Sequence, residues 1–240
     1  MTQQTGNNRQ SAGSADGVTL VPAPWTLHGK GYMLLYRLKR DFVDAHGGVP
    51  DFLAGRFAGG FGSLMLVDYA DSDAGPYGEM LFIPGRFRYK NRKLHTISRI
   101  YVSTMASVVN GRRNWAIPKE RADFRFEPLG GRRERVTVSV GDDVATELTL
   151  CAFGPAFPVN TALLPFPLVQ RQGDMCYHTR FSGKGRGRLA RVEAMRFSGT
   201  LFPDLAGVRP IAVLAVEPFE ITFPVAEVEP ADPAGAGAAR

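Results

Sequence analysis

The chain is short of the residues that metal, redox and disulfide chemistry depend on. It has two cysteines, Cys151 and Cys176, in no metal-binding or redox spacing, which points to a reduced, cytoplasmic setting. The four histidines, His28, His46, His95 and His178, are too scattered for a metal-ligand pattern. No apolar run approaches the ~20 residues of a membrane helix, and the opening MTQQTGNNRQSAGSADG lacks the apolar middle of a secretory signal. No glycine pattern sits between a strand and a helix as nucleotide binding requires, so SGKGRGR reads as a basic hairpin tip. These absences lead to the expectation of no metal, no cofactor and no membrane partner.

Turns and strands are abundant. The 27 glycines and 17 prolines punctuate short runs rich in β-branched and aromatic residues. The segments GYMLLYRLKRDFV, FGSLMLVDYA, EMLFIPGRF, HTISRIYVS, ADFRFEP, RERVTVSV, VATELTLCAF, MCYHTRFSG, RLARVEAMRFSG and IAVLAVEPFEITFPVAEV all read as strands. Gly141-Asp142-Asp143 joins two alternating runs as a hairpin. Two places read as helices: VPDFLAGRFAG, and TMASVVNG with Gly111 as its stop. This pattern predicts an all-β fold, a mostly antiparallel barrel or cone with a few short helices. One domain is expected over residues 18–228, with 1–17 and 229–240 as disordered tails poor in large apolar groups.

The net charge is +6, spread over GRFRYKNRK, NGRRN, GGRRER and GKGRGR rather than gathered on one helix. No recognition motif accompanies these basic turns, so no nucleic-acid partner is expected. The excess also suits attraction of small anions.

One lysine stands out, in NWAIPKERADF. If residues 115–119 are extended, Trp115, Ile117 and Lys119 share one face and Glu120 takes the other. A lysine beside Trp and Ile is, on spacing alone, first read as a group that snorkels to water, with a buried nucleophilic amine as the alternative. An ordinary lysine ammonium deprotonates near ~10.4, whereas burial lowers such a group by ~3–5 units. The second reading therefore requires dryness.

The segment YVSTMASVVNGRRNWAIPKERA resembles the active-site segment of the acetoacetate decarboxylase family, in which Gly-Arg-Glu precedes an aromatic-Pro-Lys-Lys. Gly111, Arg112, Ala116, Pro118 and Lys119 match it. AGPYGEMLFIPG resembles the family's Gly-x-Tyr-x-Glu segment and puts Glu79 at its active-site glutamate, while GYMLLYR resembles the segment that opens the family's domain. The resemblance implies a β-barrel with an internal pocket, Lys119 as the Schiff-base nucleophile, Glu79 as its proton or orienting partner, and Trp115 and Ile117 as a dry wall. It also implies a small keto-acid substrate, no cofactor, lyase chemistry and a homo-oligomer. Acetoacetate decarboxylase itself is the usual illustration of a lysine activated by desolvation or a cationic neighbour.

The chain departs from the family pattern at several positions. Glu120 replaces the second lysine and Arg113 the glutamate after Gly-Arg, which suggests a charge-swapped pair behind the pocket. Gly29 stands at a family arginine, with Lys30 beside it as a substitute carboxylate contact, and Ser63 or Leu64 replaces a second acid. These losses leave room for a non-catalytic barrel that binds an apolar carboxylate or ketone.

Overall fold

A computed structural model describes residues 14–15, 17–163 and 165–231. In chain order, β1 (Ser14–Ala15) and β2 (Val18–Thr19) pair with each other, and β3 (Trp25–Tyr36) leads into α1 (Arg40–His46) and a 3₁₀ turn at Asp51–Leu53. Next come β4 (Gly62–Ser72), β5 (Tyr77–Ile83), β6 (Arg86–Tyr89), β7 (Arg92–His95) and β8 (Arg99–Val102). Then α2 (Met105–Trp115) precedes β9 (Lys119–Arg121), β10 (Asp123–Pro128), β11 (Arg133–Val140) and β12 (Asp143–Asn160). The chain continues through β13 (Leu168–Gln172), β14 (Met175–Thr179), β15 (Ser182–Phe197), β16 (Ala212–Phe223) and β17 (Glu227–Pro230).

Ten strands form one sheet in the order β10-β11-β12-β15-β16-β3-β4-β5-β8-β9, and five form another in the order β17-β14-β13-β7-β6. The edges of the large sheet are β9 and β10, and only Ala122 separates them in the chain. A sheet whose two edges are one residue apart must curl until they meet. This connection gives the nearly closed barrel, and it places Lys119 at the seam. Closure also removes the exposed edges that an open ten-stranded sheet would present.

Side chains alternate across every barrel strand. Leu34, Tyr36, Leu64, Leu66, Met80, Phe82, Val136, Val138, Leu148 and Leu150 point into one core shared by strands around the whole sheet, which is the barrel interior. The opposite parity of β3, β4 and β5, including Leu27, Val67, Tyr69, Tyr77 and Leu81, forms a second core. This outer core is covered by α2 and by the segment carrying Phe166 and Leu168.

The expected hairpin is present as β11 and β12, with Val140 opposite Asp143 and Gly141 at φ 59°. Several local expectations fail. RLKRDFV is not strand: β3 ends at Tyr36 and α1 begins at Arg40. VPDFLAGRFAG supplies only the short 3₁₀ turn. The basic SGKGRGR is no hairpin tip but the start of β15, paired on both sides. Its Gly185 lies so close to the Pro218 carbonyl oxygen that a Cβ would meet it at 2.7 Å, which explains glycine in a strand. Of the expected tails, 1–13, 16 and 232–240 lie outside the described residues, whereas Ser14–Ala15 and Glu229–Pro230 are paired strands.

Candidate active site

The site is built by a β-α-β unit. β8 and β9 are parallel neighbours, with Ile100 opposite Lys119, and parallel neighbours need a crossover, which α2 supplies. Thr104 caps α2 by accepting a hydrogen bond from the Ser107 backbone N–H at 3.3 Å. The helix does not stop at Gly111 as expected but runs on to Trp115, where Ala116 takes a left-handed conformation at φ 54°. Residues 115–119 are therefore not one extended stretch. The sharp turn after the helix, rather than strand alternation, brings Ile117 and Lys119 back beneath it. Arg112 Nε donates to the Lys119 carbonyl at 2.8 Å and fixes the return.

Gly111 sits in mid-helix because the lysine stem occupies the space a side chain would fill. A Cβ there would meet Lys119 Cδ at 2.6 Å and Cε at 2.8 Å. The lysine is thus laid against bare helix backbone, and it is 3% exposed.

Lys119 Nζ donates to Glu79 Oε2 at 2.9 Å and to Ser107 Oγ at 2.9 Å, and lies 3.4 Å from the Tyr77 hydroxyl. The same ammonium stands 4.9 Å from the centre of the Tyr77 ring. The other oxygen of Glu79 accepts from the Tyr69 hydroxyl at 3.2 Å. Burial, and then the charge of Glu79, push both phenols well above their usual range, so each stays a protonated donor. The remaining walls are apolar, with Trp25, Leu27, Leu81, Ile97, Ile100, Trp115, Ile117 and Phe223 around the amine. Trp115 is held by its indole N–H to the Pro224 carbonyl at 2.7 Å and by an edge-on contact with Trp25 at 5.0 Å. The free space beside the amine is about 20 Å³, room for one water molecule.

This arrangement handles a proton in a dry place. Lys119 Nζ and Glu79 Oε2 stand 2.9 Å apart, a distance over which a proton can pass between them. With the proton on Glu79, Lys119 is a neutral amine able to add to a carbonyl. With it on Lys119, the pair is an ion pair that a low-dielectric pocket tolerates only because Ser107, Tyr69 and Tyr77 complete its hydrogen bonds.

The structure brings Lys119, Glu79, Trp115 and Ile117 into one chamber and leaves Lys30 out. On β3, the odd positions Trp25 and Leu27 face the chamber, so Lys30 points to the opposite face of the sheet, where its Nζ donates to Glu134 at 2.6 Å. Burial pulls the Lys30 ammonium down, but the hydrogen bond and charge of Glu134, with Asp68 and Glu217, outweigh that and hold it above the usual range. Lys30 therefore does not stand in for the arginine of the family pattern. Gly29 cannot either, since a Cβ there would strike the Asp68 carbonyl oxygen at 2.2 Å. The suggested Arg113–Glu120 pair is also not formed. Glu120 points outward, away from the amine, and meets Arg99 at 3.1 Å across the β8–β9 edge. Ser107 and Tyr69 went unnoticed in the sequence, and Tyr77 entered only as the tyrosine of the Gly-x-Tyr-x-Glu resemblance, without a role in the site. Two of them carried a signal: Tyr77 precedes Glu79 by two, the strand period, and Ser107 precedes Gly111 by four, the helix period. Among the described residues, no group of histidines, cysteines and acids is placed to hold a metal, and no helix is long and apolar enough to cross a membrane.

No protein-family model matches the chain, and no curated protein does. Solved structures do. The chain resembles an acetoacetate decarboxylase from Legionella pneumophila at a TM-score of 0.68 and 13% identity over 88% of each chain. An acetoacetate decarboxylase-like enzyme from Sphingomonas wittichii RW1 matches at 0.62 and 12%, covering 89% of this chain and 95% of that one. The enduracididine biosynthesis enzyme MppR complexed with pyruvate matches at 0.58 and 14%, covering 88% and 91%. These likenesses show that the chain has the acetoacetate decarboxylase-like fold.

Proposed function

We propose that the protein is a cofactor-independent lyase that decarboxylates a β-keto acid through an imine on Lys119. The observation that carries this reading is the buried amine 2.9 Å from a buried carboxylate, in a chamber otherwise walled by apolar and aromatic groups.

The residues support a balanced sequence of steps. Neutral Lys119 adds to the ketone carbon of the substrate, and loss of water leaves a protonated imine. The bond between the α-carbon and the carboxylate then breaks. Its electron pair moves into the α-carbon–iminium bond system, CO₂ departs and an enamine remains. Glu79, having given its proton to complete the protonated imine, takes up another from solvent and passes it to the enamine carbon, directly or through one water. Hydrolysis frees the ketone and restores the amine. Ser107 and Tyr77 orient Nζ throughout, and Tyr69 holds the second oxygen of Glu79. The apolar walls favour the step that turns a carboxylate into neutral CO₂.

A second reading is a binding barrel without turnover. It is favoured by one feature: among the described residues, no cation other than Lys119 lines the chamber to receive the substrate carboxylate. The two readings separate by CO₂ release from a panel of β-keto acids, with Lys119→Gln as control. Release above the uncatalysed rate in the parent and at background in the variant is the outcome expected. Tight binding of the panel with no release in either supports the binding barrel and removes the lyase.

A further inference from the structure

The chamber around Lys119 has about 20 Å³ of free space, too little for even a four-carbon keto acid. A larger cavity of about 350 Å³ lies on the same outer face of the sheet, and Tyr69 lines both. That volume is typical of a site that swallows an organic molecule, roughly 300–1,000 Å³. Its walls are almost wholly apolar. Tyr69, Val67 and Met65 follow one another at every second position of β4, so the cavity runs from the chamber for ~13 Å along the strand. Val216, Leu214 and Phe219 of β16 form the other side.

The Tyr69 ring is the partition. It sits 4.7 Å from the Tyr77 ring on the chamber side and edge-on to Phe219 at 5.8 Å on the groove side. Its hydroxyl is tied to Glu79, the carboxylate that also holds the lysine.

On the basis of the imine chemistry proposed above, we propose that the substrate is a β-keto acid with an extended alkyl tail, which passes Tyr69 and lies in this groove. The Tyr69 ring swings aside to join the two spaces, the ketone carbon meets Nζ with the carboxyl end beside it, and the alkyl group on the far side of that carbon fills the groove. A short keto acid would leave the groove walls in water. Each added methylene removes apolar surface from water and binds about fourfold more tightly, the fold-change equivalent to ~0.8 kcal/mol per buried methylene. The groove thus selects by length, up to the reach of the β4 wall.

The test uses the full chain in two arms. In the first, β-keto acids of four, six, eight and ten carbons are compared by kcat/KM for CO₂ release. An increase of about fourfold per methylene is expected. Leu214→Trp, which fills the groove and touches neither Lys119 nor Glu79, should abolish the long-chain gain, so that rates no longer rise with length. Equal rates at all lengths in both proteins would overturn the proposal while leaving the lyase intact. In the second arm, secondary alcohols of the same lengths, which form no imine, are titrated calorimetrically into the parent protein. Affinity rising with length supports the groove even if no keto acid turns over, the result that would sink the lyase alone. Affinity independent of length overturns the groove whatever the first arm shows. A parent that sediments as an oligomer and falls apart on Leu214→Trp would assign the groove to a second copy of the chain, and would overturn the proposal too.

Discussion

Gly111 explains how a lysine is kept in one place. Its missing side chain makes a slot in α2 that the Lys119 stem fills, with would-be Cβ contacts of 2.6 and 2.8 Å. Gly111→Ala should therefore fold well, since alanine is better than glycine in a helix by about 1 kcal/mol and the clash is with a bendable chain. The amine would be pushed off its partners, and a misplacement of ~1 Å at a reacting group costs about a hundredfold. The expected outcome is a normal thermal midpoint with a decarboxylation rate reduced about a hundredfold. An unchanged rate would mean the slot does not position the lysine. At this scale local motifs singled out Lys119 and Glu79, and the structure puts the two side chains 2.9 Å apart. The sequence misled at Lys30, because proximity in sequence to Gly29 says nothing about which face of β3 a side chain takes. It misled at Arg113 and Glu120, because reversed charges at two positions do not show that the positions meet.

Among the elements, the end of α2 is the decisive one. Ala116 is held at φ 54°, a conformation that costs a non-glycine residue about 1–2 kcal/mol. It is retained where glycine would be the ordinary choice. Ala116→Gly should raise stability by about 1 kcal/mol, readable as a higher midpoint in denaturant at unchanged slope. A lower midpoint would show that the buried Ala116 methyl contributes more by packing than the turn costs. Sequence patterns showed most strands, since alternation is a local signal, and the β11–β12 hairpin with its Gly141 turn is the clearest case. They missed α1 and lengthened the strand across it, because RLKRDFV is too short for a helical period to show. They ended α2 early, because a glycine normally marks a helix end and only the distant lysine explains this one.

Over the whole molecule, the barrel closes because β9 and β10 are opposite edges joined through a single residue, Ala122. That fact depends on strand order and was not visible in the sequence, which showed ten strand segments where the described residues form seventeen strands. Within the second sheet, His95 of β7 pairs with Leu168 of β13 and joins its two halves. Burial, reinforced by the charge of Arg86, lowers the His95 imidazole to about 4 from 6.5. A folded state that refuses a proton the unfolded chain accepts is fully stable above pH 6.5 and loses stability as pH falls towards 4. The loss is about 1.4 kcal/mol per pH unit, or about 2 kcal/mol between pH 6.5 and pH 5. Urea melts of the parent and of His95→Gln over that interval check it, and the variant should lose clearly less. Parallel losses in both proteins would place the acid sensitivity elsewhere.

The claim on which the functional account rests is that Lys119 attacks carbonyl carbon. Borohydride reduction of the protein with a β-keto acid, followed by trypsin and mass spectrometry, reads this directly, because a reduced adduct blocks cleavage after Lys119. The account predicts one modified peptide spanning residues 114–121, absent when Lys119→Arg protein is used. Adducts scattered over other lysines, or none in a protein that still releases CO₂, would contradict it.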